Sequence, residues 1–274
     1  MERDAPIVSS VHNRWVKYAR SLERRKARLA EGAFLVEGAR LVEDGLATGA
    51  TPTIVFHDVD SASATATAVA ARAVESGARL IPVTSTVMRA VADTETPQGI
   101  VAVFPLPNVA PRTVAGVEPL FLATDAIRDP GNLGTLIRSA AAAGADAIFV
   151  GPGTADPFAP KVVRAGMGAH FRVAIRQVDW TEPDPALLAC RQRLAASADA
   201  TLAYDAVDWT RSSCLIVGNE ASGVSADARR VATGTVAIPL ATGVESLNAA
   251  VAGSVVLFEA ARQRRRQELP PTSA

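Results

Sequence analysis

The sequence has little of what marks a metalloprotein, a secreted protein or a membrane protein. Its only cysteines are Cys190 and Cys214. No histidine pair stands beside them, which excludes the usual zinc spacings and a disulfide framework and favours a reducing compartment. No apolar run approaches the roughly 18 residues of a membrane-spanning helix, and the opening MERDAPIVSS holds no apolar signal core, so a soluble, cytoplasmic protein is expected. Lysine is scarce, with only Lys17, Lys26 and Lys161 among 28 basic residues, and the net charge is zero. Such a chain does not coat polyanions indiscriminately. The familiar nucleotide loops are missing too. There is no G-x-x-x-x-G-K-[ST], and VGPGTAD (150–156) has Asp156 where a dinucleotide fingerprint needs its third glycine. No G-x-S-x-G elbow accompanies His12, His57 and His170, which excludes the common serine-hydrolase arrangement.

What is present is an Ala/Val/Leu-rich α/β composition, 49% hydrophobic and 5% aromatic over 274 residues, enough for one large domain or two ordinary ones. Residues 105–119, PLPNVAPRTVAGVEP, hold four prolines and interrupt every periodic pattern. They read as a linker, taken as 108–118, between a domain at 1–107 and another at 119–274. The first domain opens with a charged helix over roughly 12–30. It continues with a strand-to-helix unit in FLVEGARLVEDGLATG, strands in TIVFHD, ARLIPVT and GIVAVF, and helices in 61–74 and STVMRAVAD. The second repeats this grammar. PLFLATD (119–125) and ADAIFVG (145–151) are expected as buried strands, with FRVAIRQ, TLAYDA, SCLIVGNE and TVAIPL as further strands. A closing helix is expected from about Ser246, with Leu247, Val251, Val255 and Phe258 on one face. A mostly parallel sheet follows, and such sheets bind ligands at the carboxyl ends of their strands.

Three segments fall at such ends. In DPGNLGTLIRSAAAAG (129–144), Leu133, Leu136, Ile137 and Ala140 keep helical spacing and face the sheet, Asn132 suits a helix cap, and Arg138 lies off the apolar stripe. In LIVGNEASGVS (215–225), an apolar strand runs into Gly218, Asn219 and Glu220, with Gly223 just beyond. In VAIPLATGVESLNAAVAG (236–253), a strand ends at Pro239 and a glycine-bearing loop leads to Ser246, Leu247 and Asn248. Alone, each also reads as an ordinary capped turn.

Together, the order N-x-G-x-x-x-R, GNE-x-x-G and IPL…SLN resembles the three motifs of the SpoU (TrmH) family of RNA ribose 2′-O-methyltransferases, within the SPOUT superfamily. KVVRAGMGAHFRVAI (161–175) is similar to the family's segment between its first two motifs. FLVEGARLVEDGL and TPQGIVAVF resemble its N-terminal substrate-binding extension of ribosomal-protein type. The resemblance implies an α/β fold whose second domain carries a deep trefoil knot, a homodimer with the site at the interface, S-adenosylmethionine as cofactor and no metal. It places Gly218, Asn219, Gly223, Ile238, Pro239 and Leu247 at the cofactor. The catalytic positions it implies are Asn132, Arg138, Glu220, Ser246 and Asn248. Arg138 would act either as general base or as stabiliser of the forming alkoxide, and an arginine pKa above about 12 favours the second role.

Arg14, Lys17, Arg20, Arg24, Arg25, Lys26 and Arg28 crowd the first helix against the single acid Glu23. A phosphate backbone attracts such a helix, and Trp15 or Tyr18 could stack on a base. Arg14, Lys17, Arg24, Arg25, Lys26, Arg28 and, in the intermotif segment, Arg164 are the candidate RNA contacts. A second basic run, RQRRR at 262–266, ends the closing helix, and two basic patches on a neutral chain suit a folded RNA. Large-subunit ribosomal RNA is the expected substrate, with transfer RNA, a non-catalytic RNA-binding role and a nucleotide-dependent enzyme as alternatives.

Overall fold

Helix α1 (Arg14–Ser21) starts where Asn13 turns its Oδ1 to accept the Trp15 N–H at 2.9 Å. The computed structural model describes residues 6–111 and 118–268, so 112–117 of the expected linker lie outside the described residues. The single helix expected over 12–30 is two, because the chain turns after α1 and restarts as α2 (Arg25–Glu31). Arg28 holds that turn. It is buried, and its Nη1 donates to the carbonyls of Leu22 at 2.6 Å and Glu23 at 2.8 Å. This corrects its assignment to the RNA-facing set: the guanidinium satisfies carbonyls that the break between the helices leaves without helical partners. Arg28→Met is expected to cost about 2–3 kcal/mol, the scale of charge-assisted bonds lost to buried carbonyls. Urea unfolding measures the loss, and RNA affinity of the folded variant should not move.

The chain continues through β1 (Ala33–Glu37), α3 (Ala39–Ala47), β2 (Ile54–Asp58), α4 (Ala64–Glu75), β3 (Arg79–Val83), α5 (Ser85–Val91) and β4 (Ile100–Pro105). The sheet order is β1-β4-β2-β3, with β4 antiparallel to both neighbours and β2 parallel to β3. Both faces are covered. Phe34, Val55, Ile100 and Phe104 pack with Val42 of α3 and Val69 of α4, while Leu35, Phe56, Ile81 and Val103 pack with Val16 of α1 and Met88 of α5. That is why these strands read as continuous apolar runs rather than alternating ones.

The remaining elements are β5 (Leu120–Thr124), α6 (Pro130–Ala143), β6 (Ala147–Val150), α7 (Pro160–Gly166), β7 (Ala174–Gln177), α8 (Pro185–Leu188), β8 (Gln192–Ala196), β9 (Ser213–Val217), α9 (Ala226–Val231), β10 (Gly234–Val236) and α10 (Ala249–Glu268). By contact the chain forms two units, Met1–Asn108 with Phe158–Phe171, and Val109–Pro157 with Arg172–Ala274. The contiguous division at 108–118 therefore differs from the observed grouping. Its cause is aromatic: Phe158 lies edge-on to Phe34 at 5.2 Å, and Phe171 meets Phe34 at 5.7 Å and Phe104 at 4.9 Å. Gly45 of α3 makes room for this cluster, since a Cβ there would sit 2.9 Å from the Phe104 ring and 3.0 Å from that of Phe171.

The second unit holds one wholly parallel sheet, β10-β8-β9-β5-β6-β7. TLAYDA is not among its strands. Residues Tyr204–Ala206 form a short 3-10 turn, and only an isolated bridge joins Ala203 to Ala237. The place is taken by β8, whose polar start conceals it in the sequence. Arg193 spends its charge locally, donating to the carbonyls of Leu188, Cys190 and Val231.

Helix α6 buries Leu133, Leu136, Ile137 and Ala140 completely, as their spacing requires. Its cap is Asp129, whose Oδ1 accepts the Asn132 N–H at 2.8 Å ahead of Pro130, so Asn132 sits inside the first turn and does not cap it. Helix α10 starts at Ala249, later than expected, and Asn248 rather than Ser246 caps it. The face that carries the expected apolar stripe is turned outward. Leu247, Val251, Val255 and Phe258 are exposed, while Ala250, Val256, Leu257, Ala260 and Ala261 are buried. Gly253 lets α10 lie close on α6, for a Cβ there would stand 2.5 Å from Leu136 Cδ2. Both cysteines are buried and free, and burial pushes the Cys190 thiol up to about 11. Among the described residues no helix is long and apolar enough to cross a membrane, and no group of His, Cys, Asp or Glu is arranged to hold a metal.

Candidate active site

Strand β9 ends at Val217, and the chain then folds back on itself so tightly that position 218 admits no side chain. A Cβ on Gly218 would lie 2.3 Å from the Gly223 carbonyl carbon and 2.4 Å from the Val224 nitrogen. Asn219 N–H donates to the Gly223 carbonyl at 3.0 Å and Gly223 N–H returns the bond at 2.9 Å. Gly223 turns the corner with φ +67°.

Hydrogen bonds to backbone N–H groups fix which way each carboxamide points, since those groups can only donate. Asn219 Oδ1 accepts from the Ala221 and Ser222 amides at 3.0 and 3.2 Å. Its Nδ2 therefore faces away, donating to the Ala126 carbonyl at 3.1 Å and to Glu220 Oε2 at 3.5 Å. Ala126 holds φ +55°, a left-handed conformation costing an alanine about 1–2 kcal/mol. Asn248 Oδ1 accepts the Ala250 and Val251 amides at 3.0 and 3.2 Å. Its Nδ2 must then donate, and it does so to Asn132 Oδ1 at 3.0 Å. Asn132 Nδ2 in turn donates to Glu220 Oε1. A helix cap thus sets the orientation of an amide relay, Asn248 to Asn132 to Glu220, which joins the three sequence motifs. Glu220 receives two neutral donors and stands as an acceptor.

Beside this relay opens a cavity of about 410 Å³. Val217, Ile238, Leu240, Ala252 and Val256 form its apolar wall, and Asp199, Glu220, Ser222, Arg229 and Ser246 its polar one. Gly218, Asn219, Gly223 and Leu247 also line it. Pro239 lines an adjoining cavity of about 350 Å³, which shares Ile238 and Leu240. Arg138 is not brought into either cavity. It is exposed on α6, six residues beyond Asn132 and so on another face of the helix.

Three residues at this site escaped the sequence reading. Asp125, at the end of β5, is buried and accepts Trp180 Nε1–H at 2.7 Å and the Ser225 amide at 2.6 Å, tying down the far end of the 218–224 loop. An acid closing an apolar strand was the available signal. Asp199 and Arg229 line the cavity from a loop and from α9, and nothing in their local sequence marks them.

In the first unit, Arg14, Lys17, Arg24, Arg25 and Lys26 are exposed on α1 and α2 or between them. Trp15 is flanked by cations, with the Arg14 guanidinium 4.6 Å and that of Arg79 5.0 Å from its ring. Tyr18 is half-buried, and burial followed by the Glu31 charge raises its phenol pKa. Arg164, in α7, is ion-paired with Asp93 and only partly exposed.

The SpoU rRNA Methylase family model matches residues 119–258, and a model described as an MRM3-like substrate binding domain matches residues 13–102. The 23S rRNA (guanosine(2553)-2′-O)-methyltransferase RlmP of Bacillus subtilis is 34% identical, with 92% of this chain and 97% of that one covered. The human mitochondrial rRNA methyltransferase 3 is 32% identical over 89% of this chain and 71% of its own length. Among solved structures, an AdoMet-bound rRNA methyltransferase from Sinorhizobium meliloti superposes with a TM-score of 0.79 at 31% identity, covering 97% of this chain and 99% of that one.

Proposed function

The chain belongs to the SpoU rRNA methylase family, and we propose that it methylates a ribose 2′-hydroxyl of large-subunit ribosomal RNA with S-adenosylmethionine. The observation that carries the reading is the amide relay of Asn248, Asn132 and Glu220 at the mouth of the 410 Å³ cavity. The cavity fits the cofactor: it is large enough for a nucleoside, has one apolar wall, and at Gly218 brings bare backbone to its surface. Gly218, Asn219, Gly223, Ile238 and Leu247 would hold it, with Pro239 shaping the loop that carries Ile238. When bound, S-adenosylmethionine supplies a sulfonium methyl open to in-line attack by an oxygen.

The residues of this chain hold and polarise the acceptor. Asn132, locked at both polar atoms, keeps one Nδ2 proton to present to the ribose, and the exposed Ser246 hydroxyl stands across the same mouth. Arg138 stabilises the alkoxide as the 2′-hydroxyl loses its proton; a guanidinium is too weak an acid to serve as the base near neutral pH. An RNA phosphate takes up the proton. Because Arg138 lies outside its own chain's cavity, the complete site belongs to a homodimer. The exposed Val251, Val255 and Phe258 of α10, which packs on α6, support that association. The trefoil knot is part of the same reading, supported by the 218–224 loop and the 238–247 segment lining one cavity. The exposed cations Arg14, Lys17, Arg24, Arg25 and Lys26 bind RNA phosphates, with Arg164 beside them in function, and the two free cysteines favour the cytoplasm.

The test is label transfer from methyl-labelled S-adenosylmethionine to unmodified large-subunit rRNA, small-subunit rRNA and transfer RNA. Label confined to large-subunit rRNA, recovered as an alkali-resistant dinucleotide and reduced at least a hundredfold by Arg138→Ala, is expected. Label in transfer RNA alone, or on a base, refutes the substrate assigned.

A further inference from the structure

We propose that Arg229 is the cation that recognises the carboxylate of the donor's amino-acid tail. The inference rests on the reading of the cavity as the S-adenosylmethionine site and adds to it a residue for the charged end of the ligand. A bound S-adenosyl group presents two unlike ends: an adenosine, suited to the apolar wall, and a zwitterionic amino acid carrying one carboxylate and one ammonium. Among the described residues lining the cavity, Arg229 is the only cation. Asp199 and Glu220 are the acids, and Glu220 is already engaged by two carboxamides.

Arg229 is also held in a way that its neighbour is not. Its Nε donates to the Val224 carbonyl at 3.0 Å, which ties the guanidinium to the loop. The terminal Nη2 lies 3.8 Å from where a Cβ on Gly223 would stand, so the tip rests beside the loop that closes the cavity. Neither terminal nitrogen has a hydrogen-bond partner among the described residues. Arg230, next in sequence, is ion-paired with Asp227 within α9 and does not line this cavity. A guanidinium anchored through Nε and open at both terminal nitrogens presents the paired donors that a carboxylate accepts bidentately.

The experiment is calorimetric titration of the full chain, without RNA, with two ligands. S-Adenosylhomocysteine carries the carboxylate, and S-adenosyl-3-thiopropylamine keeps the amine and lacks it. The wild-type chain should prefer the first by about tenfold, the scale of a charge-assisted bond discounted for an exposed rim. Arg229→Ala and Arg229→Gln should lose that preference by weakening only S-adenosylhomocysteine, and Arg230→Ala should keep it. The inference is overturned if Arg229 variants retain the preference, or weaken both ligands equally while melting as the wild type does. Failure of the wild-type chain to bind either ligand removes the cofactor reading of the cavity and this inference with it.

Discussion

Gly218→Ala weakens donor binding by roughly one to two orders of magnitude. The added methyl would lie 2.3–2.4 Å from the Gly223 carbonyl and the Val224 nitrogen. These are backbone atoms, so no side-chain rotation relieves the overlap, and the loop itself must open by the better part of an ångström. Opening it breaks the reciprocal Asn219–Gly223 pair and the turn held by Asn219 Oδ1. It also shifts Glu220, and with it the relay. The strain falls in the range of about 1–3 kcal/mol typical of overpacking, which converts to roughly a 5- to 150-fold rise in Kd for S-adenosylhomocysteine. Gly234→Ala is the matched control, since its Cβ would meet only Leu194 Cδ2 at an ordinary 3.4 Å. Calorimetry on the two variants decides the matter. Equal affinities would mean that the 218–224 loop yields freely and does not shape the site.

Asn132→Ala lowers turnover without a comparable loss of donor affinity. Asn132 does not line the cavity, yet among the described residues it links the cap of α10 to Glu220. Truncation leaves Asn248 Nδ2 without its acceptor and Glu220 without one of its two donors. The amide proton proposed to meet the acceptor ribose goes as well. Loss of one preorganised donor at a reacting oxygen typically costs about 100- to 1000-fold in turnover, and the same is expected here. Donor Kd should change by less than about threefold. Asn132→Asp should be no rescue, because it sets a second carboxylate against Glu220 and repels it. Single-turnover rates and donor titrations on both variants separate the effects. A fall in donor affinity as large as the fall in turnover would show that Asn132 merely holds the loop.

The motifs were legible because each is a strand end followed by polar residues, a local pattern. The stripe of Leu133, Leu136, Ile137 and Ala140 likewise gave the right buried face, since α6 is apolar on one side only. For α10 the same rule does not say which face lies inward. There apolar residues occur all round, Ala250 and Leu257 inward against Val251 and Phe258 outward, and spacing alone cannot choose between two apolar faces. Small residues packed on α6 won the inner position because Gly253 permits close approach. Arg28 was misassigned because composition counts charges and cannot see a guanidinium folded onto the carbonyls of its own chain. Arg229 and Asp199 come from separate elements and share a cavity only through the tertiary fold. Strand β8, with no β-branched residue in QRLAA, lacks the usual strand signature and forms because its neighbours in the sheet supply the partners.

Phe158 and Phe171 also order events in time. The chain leaves the first unit after Asn108, returns at Phe158 and leaves again after Phe171. A ribosome releasing this chain from its N-terminus has made every strand of the first sheet by Pro105, yet the aromatic cluster around Phe34 stays open until residue 171 has emerged. By then β5, α6 and β6 of the second unit have already been synthesised. Completion of the first unit is thereby tied to the synthesis of the second. A nascent chain with residue 108 clear of the exit tunnel and residue 158 not yet synthesised should expose Phe34 and Phe104 to chaperones, whereas one stalled far enough beyond 171 to clear the tunnel should shield them.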